Sequence, residues 1–208
     1  MTVTRKGYLF LGIIIILLVI SGAAIALNPS PSPFTSGIRF AGLAGFILLS
    51  VAAIMTPWSR EIYRNFGTSF VKFHHLFALS GLILITLHPV LLAIRLMRAS
   101  VFLPRFDSFQ EFFVLAGRPS LILIYIAVAA ILLRRFIPSY WKFLHAMIWV
   151  ALILGIIHGD LVGTDMKNPV IFLLLNGLMV VAIGAFILKR FRMRPAPPEQ
   201  GKKTGRTG

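Results

Sequence analysis

Six long apolar runs dominate the sequence, and two of them carry histidines. The hydrocarbon core of a bilayer is about 30 Å thick, so a helix needs about 20 apolar residues to cross it. Hydrophobic residues make up 58% of the 208-residue chain and charged residues only 13%, whereas a soluble domain is about half apolar and about a quarter charged. We therefore expect an all-α integral membrane protein, a bundle of six transmembrane helices at residues 7–27, 38–56, 71–94, 118–135, 139–159 and 169–188.

The basic residues are distributed unevenly between the two sides of this bundle. With both termini in the cytoplasm, fifteen Lys and Arg residues lie inside and six lie outside, at positions 39, 95, 98, 105, 118 and 167. Multi-pass proteins carry such an excess in their short cytoplasmic loops. The distribution of the formal net charge of +15 therefore indicates a multi-pass protein of the cell membrane, and not a nucleic-acid-binding surface. The basic residues of the tail are candidates for contacts with anionic lipid heads, although a role in topology is favoured.

The predicted spans form one membrane domain over residues 1–188, followed by a basic tail over residues 189–208. The tail is rich in proline, glycine and polar residues, a composition typical of disorder. Small residues, Ala23, Ala24 and Ala26, follow the first apolar run, so a cleaved signal peptide is the alternative to a first transmembrane helix. The run is longer than a normal signal core, which favours the helix.

Four histidines lie at two matched depths of the predicted bundle. His74 and His88 are 14 residues apart in the third span, and His145 and His158 are 13 apart in the fifth. At about 1.5 Å per residue these separations are roughly 21 and 19.5 Å. Because both helices run from inside to outside, His74 faces His145 at an inner level and His88 faces His158 at an outer level. Ionisable groups at membrane depth indicate a functional site, and two facing imidazoles can ligate a b-type haem. The sequence predicts two such haems between the third and fifth spans.

The helical period leaves part of the ligand set open. Fourteen residues bring a helix back to within about 40° of the same face, but thirteen leave the second histidine about 140° away. A local change in winding near Gly155 is therefore expected in the fifth span. His75 directly follows His74; the period favours His74 as the inner ligand, with His75 near a propionate or the membrane interface. A single haem at the outer level is the alternative to two.

The composition excludes several other kinds of redox or metal site. The chain contains no cysteine, so disulfides, thioether-linked haem, iron–sulfur clusters and thiolate metal sites are all excluded. The histidine spacing also disfavours a zinc site, because the two levels are about 20 Å apart, too far for one metal ion.

The histidine spans also resemble a known family. The stretch F-H-H-L-F-A-L-S-G-L-I-L-I-T-L-H at residues 73–88, followed by an H-x12-H pattern from His145 to His158, is similar to the ferric reductase-like transmembrane domain. That family includes the membrane halves of ferric reductases and NADPH oxidases and the haem subunit of a bacterial methionine-sulfoxide reductase system. Over residues 38–188 the resemblance implies six helices, with His74 and His88 as ligands on the third and His145 and His158 on the fifth. It also implies electrons that enter from the cytoplasm and leave towards ferric iron, oxygen or an external partner protein.

The sequence itself provides no electron donor. Reductases and oxidases of the family usually continue into flavin- and NAD(P)H-binding domains, but only twenty residues follow Leu188, without a Rossmann glycine pattern. We therefore expect a separate cytoplasmic flavoprotein, or a quinol in the membrane, to supply electrons to this haem-binding component of an oxidoreductase. A quinol-linked di-haem cytochrome b subunit of a respiratory complex is one alternative, and a transporter that uses the histidines for protons or metal is another.

Three other features bear on the site. Cations at its two ends are candidates for contacts with haem propionates: Lys72, Arg134, Arg135 and Lys142 inside, and Arg95, Arg98 and Arg118 outside. The phenylalanine-rich segment at residues 99–117 is expected to lie in the membrane interface. Glycines within the spans are expected to allow close packing of helices; these are Gly42, Gly45, Gly81, Gly155, Gly177 and Gly184.

Overall fold

The computed structural model describes residues 3–192, and these residues are almost entirely helical, without a strand among them. Short 3-10 turns lie at Thr56–Trp58, Ala99–Phe102 and Thr164–Lys167. The α-helices of this part of the chain are α1 Arg5–Leu27, α2 Pro33–Ile54, α3 Ser59–Phe66, α4 Phe70–Leu96, α5 Phe109–Val114, α6 Gly117–Leu132, α7 Trp141–Val162 and α8 Pro169–Arg192.

Five helices, α1, α2, α4, α7 and α8, are long and apolar enough to cross a membrane. They coincide with five of the six predicted spans. The last of them continues to Arg192, past the predicted start of the tail at residue 189, and the rest of that tail lies outside the described residues.

The remaining predicted span, at residues 118–135, corresponds to the shorter apolar helix α6. Its 16 residues reach about 24 Å at about 1.5 Å per residue, less than the bilayer core of about 30 Å. The helix ends at Leu132, three residues before the predicted limit. A turn follows in which Phe136 N–H donates to Leu133 O at 2.8 Å, and Pro138 disfavours a return to helix because its ring restricts the preceding residue.

The short helices α3 and α5 lie between the long ones. In α5, Ser108 Oγ accepts the N–H of Glu111 at 3.1 Å, an arrangement found at capped helix starts. The helix α3 lies against the start of α1, where Thr4 N–H donates to Asn65 O at 2.9 Å. These contacts fix the two connections that lead into α4 and α6.

The helix α2 lies at the centre of the bundle and packs against α1, α4, α7 and α8. In its most apolar 18-residue window 72% of the residues are buried, against 11% in α4 and 17% in α7. The two most extensive contacts between helices are those of α2 with α4 and of α6 with α7. Each histidine-bearing helix, α4 or α7, therefore has an antiparallel neighbour of its own.

Glycines bring α2 and α4 into close contact. A Cβ atom added to Gly45 would lie 2.6 Å from Ile85 N, and one added to Gly81 would lie 2.9 Å from Leu49 N. The prediction of close helix packing is therefore confirmed at these two positions. It is wrong at Gly177 and Gly184, where no described atom lies within 4 Å, because both face outward from α8.

A largely buried ion pair joins α2 to the turn between α7 and α8, at the end of the bundle where α2 begins. Arg39 Nε donates to Asp165 Oδ2 at 3.0 Å, and Arg39 Nη2 also contacts Asp165 Oδ1. The same guanidinium donates from Nη1 to Asn28 O and to Ser30 Oγ, both at 2.8 Å. Arg39 thus fastens the α1–α2 loop to the turn between α7 and α8.

Candidate functional site

The four histidines at the two predicted levels share one hydrogen-bond pattern. Each ring has Nδ1 within hydrogen-bond distance of a backbone carbonyl on another helix. A carbonyl oxygen can only accept, so Nδ1 carries the proton and the lone pair of the neutral ring lies on Nε2, the nitrogen available to a metal. The pairs are His74 with Ala52 O at 3.0 Å, His88 with Ile38 O at 2.9 Å, His145 with Ala127 O at 3.2 Å and His158 with Val114 O at 2.7 Å.

The carbonyls follow the same spacing as the histidines that they anchor. Ile38 and Ala52 on α2 are 14 residues apart, as are their partners His88 and His74 on α4. Antiparallel helices with equal spacing keep both bonds in register. The same relation holds for α7 and its neighbours, where both spacings are 13 residues.

Two of the four carbonyls lie at helix ends. The last four carbonyls of a helix have no helical N–H to accept from. Ala52 is among the last four residues of α2, and Val114 is the last residue of α5. His74 and His158 therefore satisfy backbone acceptors that the helices themselves leave without a donor.

The helix α7 holds both of its histidines without any change in winding. It is an unbroken α-helix from Trp141 to Val162, so the irregularity expected near Gly155 is wrong. The reason lies in the partner helices. Ala127 belongs to α6 but Val114 belongs to α5, and the chain breaks between the two helices. The rings of His145 and His158 can therefore leave α7 on different sides and still reach a carbonyl.

The structure places His74 and His145 at matching positions, each as the fifth residue of its helix, and His88 and His158 in the later turns of the same helices. His74 lies within electrostatic range of His145, and His158 lies within range of His88. The residues described contain no group of three or more His, Cys, Asp or Glu side chains that could hold a metal ion. The outer level therefore offers His88 and His158, and the inner level offers His145 with either His74 or His75.

His75 differs from its neighbour His74 in its anchoring. Its side chain is exposed, and no carbonyl of residues 3–192 fixes its ring, which lies 6.1 Å from that of His74 between centroids. His75 also lies within electrostatic range of His145, so proximity alone does not separate the two candidates. The hydrogen bond to Ala52 does, and it favours His74 as the inner ligand.

Glycines lie directly against both rings of the outer level. A Cβ atom added to Gly117 would lie 2.9 Å from Nε2 and 2.7 Å from Cδ2 of His158, and one added to Gly42 would lie 2.9 Å from Nδ1 of His88. Contacts this short are incompatible with a side chain unless the ring moves. Because Gly117 has no side chain, α6 can approach the Cδ2–Nε2 side of the His158 ring closely.

These observations test whether a haem fits the residues present. Axial ligation by two imidazoles holds the supplying helices apart by two rings and a metal, so the helices cannot be in direct contact. The backbones of α4 and α7 hardly approach each other, although both pack against α2. The donor set and the anchored tautomers fit a bis-histidine haem at each level.

Comparison of the chain with models of known protein families, with curated proteins and with solved structures gives no match. The assignment of the site therefore depends on its geometry and on the resemblance of the histidine spans.

Two cations lie close to the histidine pairs, one at each level. Arg118 is within electrostatic range of His158 and donates from Nη1 to Leu103 O at 2.7 Å. At the inner level the corresponding cation is Lys189 on α8, within range of both His74 and His145. Lys189 was not among the predicted cations, because residue 189 directly follows the last predicted span and was assigned to the tail.

The other proposed cations of the inner level lie on the surface of the molecule. Lys142 lies over the ring of Trp141, 5.7 Å from its centroid. All four of these side chains are exposed, namely Lys72, Arg134, Arg135 and Lys142. A cavity of about 540 Å³ does occur elsewhere, beside Arg39 and Asp165, but none of the histidines lines it.

Proposed function

We propose that this protein is a multi-pass b-type cytochrome of the cell membrane that transfers electrons across the bilayer. His74 and His145 would ligate an inner haem, and His88 and His158 an outer haem. The single observation that carries this proposal is the common anchoring of the four rings, which leaves Nε2 of each as its ligating atom. Fixing Nδ1–H to a carbonyl is the usual way in which proteins orient a metal-binding histidine.

The proposed arrangement in the membrane has six spans with both termini in the cytoplasm. The five long apolar helices support it, with α6 as a sixth, shorter span beside α7. The excess of basic residues on the cytoplasmic side of this arrangement gives the same orientation. Haem b would supply a one-electron carrier at each level, and the anchored imidazoles would hold its iron at two depths of the bilayer.

The proposed role is that of the haem-binding component of a ferric reductase-like oxidoreductase. The resemblance of residues 73–88 and of the pair His145 and His158 supports this assignment. The electron donor would be a flavoprotein on the cytoplasmic side, and the acceptor ferric iron, oxygen or a partner reductase outside. Reduction of the purified protein by a quinol analogue alone would instead assign it to the quinol-linked cytochromes b.

The haem content of the purified protein tests the proposal directly. A pyridine haemochrome assay with a reduced-minus-oxidised spectrum is expected to give two b-type haems per chain. His74→Ala should lose one of them, while His75→Ala, which changes the adjacent histidine, should keep both. One haem in the unsubstituted protein would restrict the proposal to the outer level. A colourless protein after expression with haem precursor would overturn it and favour a proton or metal transporter.

A further inference from the structure

A second cavity, of about 310 Å³, lies at the end of the bundle opposite to Arg39 and Asp165. Its walls come from the start of α1, the end of α2 and the short helix α3. The apolar side chains that line it are Phe10, Ile54, Met55, Ile62 and Phe66. Ligand-binding sites begin at about 300 Å³, so this cavity can take a narrow apolar group but not a large cofactor.

The cavity lies at the depth where the apolar helices give way to polar residues. The helix α1 begins at Arg5, and α2 ends at Ile54. In the proposed arrangement this depth is the cytoplasmic boundary between acyl chains and headgroups, and Trp58, which also lines the cavity, is typical of that boundary. An empty apolar cavity forgoes the packing contacts of its lining atoms. A lipid acyl chain is the apolar group that the surroundings supply.

Exposed cations are concentrated on the two short stretches of helix beside the cavity. They are Arg5 and Lys6 on α1, and Arg60 and Arg64 on α3. Two hydrogen bonds hold these stretches together, since Thr4 N–H donates to Asn65 O at 2.9 Å and Thr4 Oγ1 donates to Asn65 Oδ1 at 2.7 Å. Lys6 and Asn65 both line the cavity, so the joined surface includes its edge.

The positive charge of this surface is largely uncompensated. None of the four cations forms an ion pair within residues 3–192, where the ion pairs are those of Arg39 and Arg105. Glu61, the one acidic residue of α3, also lines the cavity. Four cations beside one carboxylate leave an excess of positive charge next to an apolar cavity, which matches the phosphate and the acyl chain of a lipid.

We propose that this cavity binds an anionic phospholipid of the cytoplasmic leaflet, with an acyl chain inside and the phosphate beside Lys6. The inference goes beyond the proposed function and does not depend on haem. A zwitterionic lipid would offer the same chain, but its ammonium group cancels the charge of its phosphate. The excess of cations therefore selects an anionic headgroup.

Native mass spectrometry of detergent-purified protein measures the selectivity, with phosphatidylglycerol and phosphatidylcholine of identical chains as probes. Phosphatidylglycerol should bind more tightly. Lys6→Met keeps the apolar stem of the side chain and removes the charge, so the affinity for phosphatidylglycerol should fall about fivefold, equivalent to about 1 kcal/mol. The matched control is Lys142→Met, which removes the same charge from α7, where Lys142 lies over the ring of Trp141, and should change neither affinity.

A second set of measurements tests the place of the acyl chain. Ile54→Phe adds volume inside the cavity and should lower the affinity for both lipids. Short-chain phosphatidylglycerol should also bind more weakly, and this comparison requires no substitution. Inorganic phosphate and glycerol phosphate carry the charge without a chain, so neither should displace the lipid.

The outcomes distinguish this proposal from the cytochrome assignment. Equal affinities for the two lipids in the unsubstituted protein, or equal losses in Lys6→Met and Lys142→Met, would overturn the proposed lipid site. Displacement of the lipid by inorganic phosphate would indicate a site for a free anion and would overturn it as well. A colourless protein that still prefers phosphatidylglycerol through Lys6 would overturn the proposed function and leave this inference intact.

Discussion

The helix pairs α2–α4 and α6–α7 differ in how the carbonyls that anchor their histidine rings are supplied. In the pair α2–α4, one long helix presents both carbonyls, at Ile38 and Ala52, and glycines bring the backbones together. In the pair α6–α7, the carbonyls come from two helices, and α6 is only 16 residues long.

The difference follows from the spacing of the histidines. Fourteen residues return to nearly the same face of a helix, within about 40°, so a single straight partner can serve both rings. Thirteen residues leave the rings about 140° apart, and a single straight partner cannot reach both. The break between α5 and α6 moves the second carbonyl around α7. A shift of one residue in ligand spacing is thus accommodated by the partner helices and not by the ligand helix.

The largest expected effect is the loss of the outer haem, which tests whether both helix pairs contribute a ligand to it. His88→Ala changes the pair α2–α4 and His158→Ala changes the pair α6–α7, yet both should remove the same outer haem and leave the inner haem spectrum unchanged. Haem content and redox titration of the two variants measure this. Retention of full haem content by both variants would contradict the ligand assignment.

A smaller loss is expected from Gly117→Ala, which adds a methyl group at the Nε2 edge of His158. Overpacking of this kind costs about 1–3 kcal/mol, so the affinity for the outer haem should fall about tenfold or more. Haem transfer to apomyoglobin measures the affinity. Gly184→Ala, at a glycine with no described atom within 4 Å, is the control and should bind haem normally.

At Gly45 the same substitution should affect stability instead of ligation. The added Cβ atom would lie 2.6 Å from Ile85 N, and a backbone cannot move aside as a side chain can. We expect Gly45→Ala to lower the free energy of unfolding by about 1–3 kcal/mol, seen as a lower thermal midpoint in detergent. Gly177→Ala should leave the midpoint unchanged or raise it, because alanine favours helix where space is open.

The smallest expected effect is on the free energy of unfolding, at two buried serines, one in each helix pair. Ser120 Oγ on α6 donates to Ala151 O on α7 at 2.8 Å, so Ser120→Ala should cost about 1 kcal/mol of unfolding free energy. Ser50 Oγ on α2 is buried without a hydrogen-bond partner among residues 3–192, so Ser50→Ala loses no such bond. Equal thermal midpoints for the two variants would show that the Ser120 bond contributes nothing to the pair α6–α7.

Apolar length and composition were sufficient to predict the five long helices. These features depend on side-chain type alone, which the sequence displays directly. The resemblance to the ferric reductase-like domain and the haem ligands themselves stay predictions, and the experiments above test them.

The anchoring carbonyls could not be predicted, because backbone groups are the same at every residue. Which carbonyl meets His88 or His158 depends on how the helices pack. The short helix α5 did carry a signal, since Ser108 and Glu111 have the spacing of a capping box. Gly177 and Gly184 show the converse, because small residues within a span do not reveal which face of the helix meets a neighbour.

The hydrogen bonds from the imidazoles to the backbone carbonyls also determine at which step the histidine side chains lose conformational freedom. Immobilising a side chain on binding usually costs about 0.5–1.5 kcal/mol of conformational entropy. Here each imidazole is already oriented by the packing of the helices, so that cost falls on folding and not on cofactor capture. A haem arriving late in biogenesis would meet four nitrogens already in place.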